Sequence, residues 1–193
     1  MASMKDLFIS KTRVQLLKAF FADPQEMFYV RQLTRKTGEE INAVRRELMR
    51  METLGMVKSE KRGNRLYYIF RNDYLYYFDL LKMVAKSQGL GGEIIKFKNK
   101  LGSIKFIFLS GRFLRRLEPK EGYVDLLVVG DVVMAQLAAI VRKYEDLLKR
   151  EINYTAMTEE EFGFRRRRRD PFILQVLAQG RAVLLGDEEL ILS

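Results

Sequence analysis

Ile41, Val44, Leu48, Met51 and Leu54 recur at spacings of three and four residues, so a helix over this stretch carries one apolar stripe that has to be buried. Asn42, Arg45, Arg46 and Arg50 fall on its other faces, and Gly55 supplies the left-handed position that ends many helices. One side of this helix is therefore core and the other is basic. Upstream, Ser10 can cap a second amphipathic helix that buries Val14, Leu16, Leu17, Phe20 and Phe21 and stops at Asp23-Pro24. A short third helix is expected over residues 30–36, with Thr37-Gly38 as a tight turn in which glycine relieves the steric penalty of positive φ. Downstream, residues 56–60 and 65–70 read as two strands joined through Lys61-Arg62-Gly63-Asn64.

A tight turn between two helices, followed by a basic hairpin, is a helix-turn-helix with a wing. Over residues 1–71 the chain resembles the winged-helix DNA-binding domains of small repressors of the ArsR type, in helix order, in the LGMV exit from the long helix and in the KRGNRLYY wing. The resemblance implies that the long helix enters the major groove of double-stranded DNA and that the wing follows the backbone or the minor groove. Carried onto these residues, it makes Asn42, Arg45 and Arg46 candidates for base or groove contacts. Arg31, Lys36, Lys61, Arg62 and Arg65 become candidates for phosphates, and Asn64 at the wing tip completes the DNA-binding set. The arginine fork matches a guanine edge through two parallel hydrogen bonds, and asparagine can do the same for adenine.

Charge follows the same division. Residues 1–71 hold 15 Lys and Arg against 8 Asp and Glu, so +7 of the formal +10 lies there, whereas the remainder holds 20 against 17. Such a basic face attracts phosphate and predicts salt-dependent binding through counterion release. No run of about 18 apolar residues and no basic-then-apolar leader is visible, so no membrane association and a cytoplasmic location are expected. The chain has no cysteine and no histidine, which removes disulfides, thiolate nucleophiles, cysteine zinc sites and the commonest general base.

The expected fold class is α+β, in three parts: residues 1–71, a helical linker over 72–101, and an α/β mixed-sheet domain over 102–193. In the linker, Asp73 can cap a helix carrying Leu75, Phe78, Leu80, Leu81, Met83 and Val84. Gly89-Leu90-Gly91-Gly92 would break it, with a second helix over 93–100. The first of these helices, with Tyr74, Tyr76 and Tyr77, either packs on its own domain or forms a homodimer seam that matches two half-sites. In the third part, residues 104–109 and 123–130 read as buried strands, separated by Ser110-Gly111 and a basic helix over 112–117. An amphipathic helix with Val133, Leu137, Ile140, Val141, Tyr144, Leu147 and Leu148 inward follows. Strands over 152–157 and 182–185 then bracket two more helices.

Residues 104–186 resemble the minimal nucleotidyltransferase domain, in which a strand ends in Gly-Ser and the next carries an Asp-x-Asp pair. Segments INYTAMTEEEF, DPFILQVL and AVLLGDEE look like the matching parts of proteins that fuse a winged helix to such a domain. In active members the turn grips a nucleotide phosphate and the clustered acids hold a divalent metal. Here the turn reads Ser110-Gly111, Tyr123 stands at the first acid and Asp125 alone remains. Asn153 and Thr155 stand where a third acid is expected, with Glu121, Asp131 or Glu151 the only other acids that could approach. The resemblance therefore implies a degenerate, inactive domain that requires no cofactor. A retained pocket would take a nucleotide or another anion at Ser110, Gly111 and Arg112, assisted by Arg115 and Arg116, and at most a magnesium ion at Asp125. The five arginines at 165–169 follow Glu159-Glu160-Glu161. They read either as a solvated helix face with Glu161 paired to Arg165 or as a further phosphate contact.

The reading that joins these parts is a DNA-binding transcriptional regulator whose second domain serves sensing of a small-molecule or protein effector, dimerisation, or docking. Two alternatives stand beside it. One is a nucleotidyltransferase guided by its winged helix, and the other is an antitoxin-like module that docks protein.

Overall fold

A computed structural model describes Met4 and residues 8–189 as two compact units, 1–87 and 88–193. The ends of the first and third expected parts, residues 1–3, 5–7 and 190–193, lie outside the described residues. The chain is mixed α+β. The expected linker is divided between the units, its first helix falling in one and its second in the other.

In the first unit, α1 (Lys11–Ala22) starts where the Ser10 hydroxyl accepts the Arg13 backbone N–H, and it buries Val14, Leu16, Leu17, Phe20 and Phe21. A two-residue strand β1 (Phe28–Tyr29), which sequence periodicity does not reveal, leads into α2 (Val30–Thr37). Gly38 at φ +67 ends α2 as expected, and α3 (Ile41–Thr53) follows. Its core side is Val44, Leu48 and Met51; Ile41 is half-buried, and Leu54 is a correction, 55% exposed at the C-cap where the helix has already turned away from the core. β2 (Val57–Arg62) and β3 (Arg65–Phe70) pair antiparallel, and β1 joins on the other edge of β3. Lys61 and Arg62 belong to the strand rather than to the loop, which is only Gly63-Asn64. With Gly63 at φ +58 and Asn64 outside the left-handed region, the turn has the II′ pattern that suits strand twist.

A cluster of rings closes this core: Phe21 stands 4.7 Å from Phe70 and 5.4 Å from Tyr77, and Phe20 lies 5.9 Å from Phe28. Tyr77 opens α4 (Tyr77–Ser87), so the helix begins later than the Asp73 cap implies. Asp73 instead accepts from Arg71 Nη2 and Nε at 2.7 and 3.0 Å, and Leu75 is left 80% exposed.

The second unit opens with α5 (Gly89–Phe97) and a 3-10 turn at Lys98–Lys100. Only Gln88 interrupts the helical run; Gly89 opens α5, and Gly91 and Gly92 lie inside it. The strand β4 (Gly102–Ser110), the single-turn α6 (Gly111–Leu114) and β5 (Leu126–Val132) follow. Next come α7 (Met134–Leu148) and β6 (Tyr154–Met157), then α8 (Glu159–Arg167), α9 (Pro171–Ala178) and β7 (Arg181–Leu185). The sheet order is β6-β5-β4-β7, with β5 and β6 parallel across the α7 crossover and the other pairs antiparallel.

Four expectations are corrected here. The basic helix expected over 112–117 is only α6. The strand expected over 123–130 begins at Leu126, leaving Tyr123 in the preceding loop. The strand expected from residue 152 begins at Tyr154. On α7, Leu137, Ile140 and Val141 face inward, but Val133 and Leu147 are 46% and 65% exposed. Apolarity alone reports neither a strand end nor a helix end; hydrogen-bond partners do.

Phe106, Phe108, Leu127, Val129, Phe162, Ile173 and Val176 form one core cluster, and the alternate strand positions Ile107, Leu109, Leu126 and Val128 are also buried. The central strands are thus covered on both faces, which explains their continuous apolar runs. α5 is tied to α7 by Glu93, which accepts from Lys143 at 2.7 Å. Burial, with the Glu93 carboxylate beside it, pushes the Tyr144 phenol up to about 12.

Candidate nucleic-acid interface

Helical periodicity sets Asn42, Arg45, Arg46 and Met49 on the face of α3 opposite Val44, Leu48 and Met51, and all four are exposed. Among the described residues no hydrogen bond or ion pair engages the side chains of Asn42, Arg45 or Arg46. The two arginines have a Coulomb contact with Glu40, the N-cap, whose carboxylate accepts the Asn42 and Ala43 backbone N–H groups at 2.9 Å. Those two bonds hold Glu40 below the usual carboxylate range.

What aims this face is Glu47. It is 3% exposed, accepts Arg13 Nε at 2.6 Å and Ser10 Oγ at 3.0 Å, and so fastens α3 to the start of α1. Glu39 adds a second tie, with Lys11 Nζ at 3.2 Å. Sequence reasoning missed Glu47 because a carboxylate beside an apolar stripe looks solvated. The signal that could have found it is its angular place next to Val44, Leu48 and Met51. Glu47→Ala is expected to destabilise this unit by about 2 kcal/mol, the upper range for a broken buried pair being tempered because Arg13 can reach water. Urea unfolding would measure it, and a midpoint unchanged from wild type would refute the clamp.

The other expected DNA contacts are exposed but not equally free. Lys61 and Asn64 sit on the hairpin with no side-chain partner among the described residues. Arg62 donates to Glu60 at 2.9 and 3.2 Å, and Lys36 lies 3.2 Å from Asp23. Arg65 covers the Tyr29 ring at 4.7 Å, and Tyr29 in turn meets Tyr67 at 5.6 Å, which braces the hairpin against the start of α2. Arg31 and Arg35 on α2 have no carboxylate within ion-pair distance among the described residues. Exposed pairs such as Lys36 with Asp23 are weak enough to exchange for phosphate.

In the second unit the expected anion cradle is spent internally. Ser110 is 2% exposed, and its hydroxyl caps α6 by accepting the Phe113 N–H at 3.1 Å. The buried Gly111 donates its N–H to the Gly180 carbonyl. Arg112 donates to the Glu118 carbonyl at 2.9 Å and lies over Tyr123, and Arg115 donates to the Gly111 carbonyl at 3.1 Å.

Asp125 is 6% exposed and accepts Arg150 Nη2 at 3.1 Å and the Asn153 N–H at 3.2 Å. Arg150 also donates to the Leu117 carbonyl at 3.0 Å. Burial outweighs this pairing and holds the Asp125 carboxyl above its usual range. Asp131 stands opposite Ser103 at the far end of β5, away from Asp125. Among the described residues no group of three or more acids, histidines or cysteines could hold a metal ion, so this donor set does not fit magnesium. Asp125 and Arg150 form a structural clamp.

No family model, curated protein or solved structure matches this chain.

Proposed function

We propose that the first unit is a winged helix-turn-helix that binds double-stranded DNA and that the protein is a sequence-specific transcriptional regulator. The observation that carries this reading is the exposed Asn42, Arg45 and Arg46 face of α3, which no side-chain hydrogen bond or ion pair engages among the described residues, set on a helix whose opposite side is locked into the core. Supporting it, α2, the Gly38 turn and α3 run in helix-turn-helix order, and the basic II′ hairpin follows directly. The α3 side chains would read base edges. Arg31, Lys36, Lys61, Arg62 and Arg65 would position the duplex through phosphates.

The second unit is proposed as a non-catalytic partner of this domain. A transferase would need clustered acids around Asp125, and the Arg150 pair occupies that place. Its proposed role is effector sensing or assembly: a ligand with unequal affinity for two arrangements of a homodimer would alter DNA affinity by that difference.

The test is selection of duplexes from a randomised pool, followed by a salt titration of the selected site. A selected consensus is expected, and log K should fall with log salt at about −0.9 per phosphate contact, hence roughly −4 to −5 for five contacts. Recovery of no consensus, together with no binding at low salt, would refute the regulator. Sedimentation at working concentration tests the homodimer, which a monomer would exclude.

A further inference from the structure

The end of α8 carries more positive charge than its fold requires. Arg165 is neutralised locally, 2.7 Å from Glu161 and 3.8 Å from Asp170. Arg167, Arg168 and Arg169 are exposed, and none has a carboxylate within ion-pair distance among the described residues. Arg168 lies over the half-exposed Phe164 ring at 5.0 Å, which orders its guanidinium while leaving its donors in water. The helix dipole favours acids in the first turn and cations in the last, and Glu159, Glu160, Glu161, Arg165 and Arg166 already satisfy it.

Arg169 is the sharper case. It sits at φ +52 just beyond the helix, a position where glycine is the least strained residue and any other costs about 1 kcal/mol. Arg116 and Lys149 adopt the same conformation after α6 and α7, so a cation at a left-handed helix end is a recurring device in this unit. A run of five is not, because α6 and α7 end on single cation pairs. A small phosphate ligand does not account for it either. The adjoining cavity of about 810 Å³ is lined by Phe164, Arg166 and Arg167, but also by Glu159, Glu160 and Glu161, which would repel a compact anion seated there. An extended polyanion running past the helix end need not enter that cavity to meet Arg168 and Arg169, and Arg167 stands on its lining.

We propose that these three arginines bind backbone phosphates of the same duplex that the first unit holds. The inference rests on the DNA-binding reading of α3. The two units share one chain, so a duplex held by the first unit is tethered to the second, and a contact too weak to form alone gains occupancy on flanking DNA that reaches α8. Guanidinium suits the task because its planar fork takes phosphate oxygens in pairs.

The experiment compares the full-length chain with Arg167→Gln/Arg168→Gln/Arg169→Gln by fluorescence anisotropy over a range of salt. It uses a duplex with long flanks and the same duplex trimmed to the footprint of the winged helix. On the long duplex the salt slope is expected to become shallower by about 0.9 for each lost phosphate contact, up to about 2.7. The preference for the selected site over a scrambled one should not change. On the trimmed duplex no difference is expected. Arg169→Gly separates binding from folding: it should raise the melting temperature by relieving the left-handed arginine and still lose about 0.9 of slope. An unchanged slope on the long duplex, with selective binding by the wild type, overturns this inference alone. So does a loss confined to single-stranded oligonucleotides. Absence of duplex binding by the wild type overturns the regulator and this inference together.

Discussion

Replacing Arg45 and Arg46 together by alanine is expected to lower affinity for the selected duplex by at least about 30-fold and to abolish its advantage over a scrambled site. Each arginine that pairs bidentately with a base edge contributes about 1–3 kcal/mol of discrimination, so two lost pairs amount to roughly 2–6 kcal/mol. The fold should not suffer. Both side chains are exposed, neither has an internal partner among the described residues, and alanine is a better helix former than arginine. Circular dichroism and the melting temperature should therefore match wild type while anisotropy does not. Arg142→Ala removes an exposed arginine from α7 and is expected to leave both selectivity and stability as they are. Retained selectivity in the Arg45→Ala/Arg46→Ala variant would place base reading elsewhere and remove the basis for calling α3 the recognition helix.

The largest stability effect is expected at Gly130. This residue lies in β5 opposite the irregularity in β4 between Ile104 and Phe106, at φ +142, a conformation that L side chains rarely adopt. A Cβ there would overlap the Ser103 carbonyl oxygen and stand 2.8 Å from Ile104 Cα and 2.9 Å from Lys105 N. Each of these atoms is backbone in the central strand pair, so no flexible side-chain end can give way. Gly130→Ala combines backbone strain of about 1–3 kcal/mol with overpacking of similar size, and a loss of about 3 kcal/mol or more follows. For a unit of this size that corresponds to a melting temperature lower by on the order of 15 °C. Calorimetry should show the transition of the second unit moving while that of the first stays. A second transition within a few degrees of wild type would mean that β4 and β5 can shift apart without penalty.

Much of the first unit was legible in the residues because its signals are local. The three- and four-residue spacing of Val44, Leu48 and Met51 marks the buried side of α3 without reference to anything distant. Gly38 and Gly63 occur where a left-handed residue is needed, and Ser10 caps the helix it precedes. The misplacements have equally local causes. Asp73 precedes an apolar stretch and has the chemistry of a cap, but Arg71, two residues back, offers two charged donors and takes it first. Gly91 and Gly92 resemble a break, yet α5 continues through them because Leu90 and Ile94 are buried.

The candidate sites divide in the same way. Exposure of Asn42, Arg45 and Arg46 follows from the position of the apolar stripe, since a residue on the opposite side of a helix has no core to enter. That Glu47 is buried, that Ser110 spends its hydroxyl on α6, and that Asp125 faces Arg150 all depend on partners 34, 3 and 25 residues away. The distant pairs decide whether a polar group is a ligand or a brace.

The sequence by itself determined most of the helices and strands, apart from β1 and several element ends, and which face of α3 is basic, because periodicity and turn chemistry act between neighbours along the chain. Tertiary structure alone decided the order β6-β5-β4-β7, the clamp at Glu47 and the pairing of Asp125 with Arg150. The reason is physical. A buried charge is stable only against its partner, and which partner reaches it is settled by the folding of chain segments that are remote in sequence.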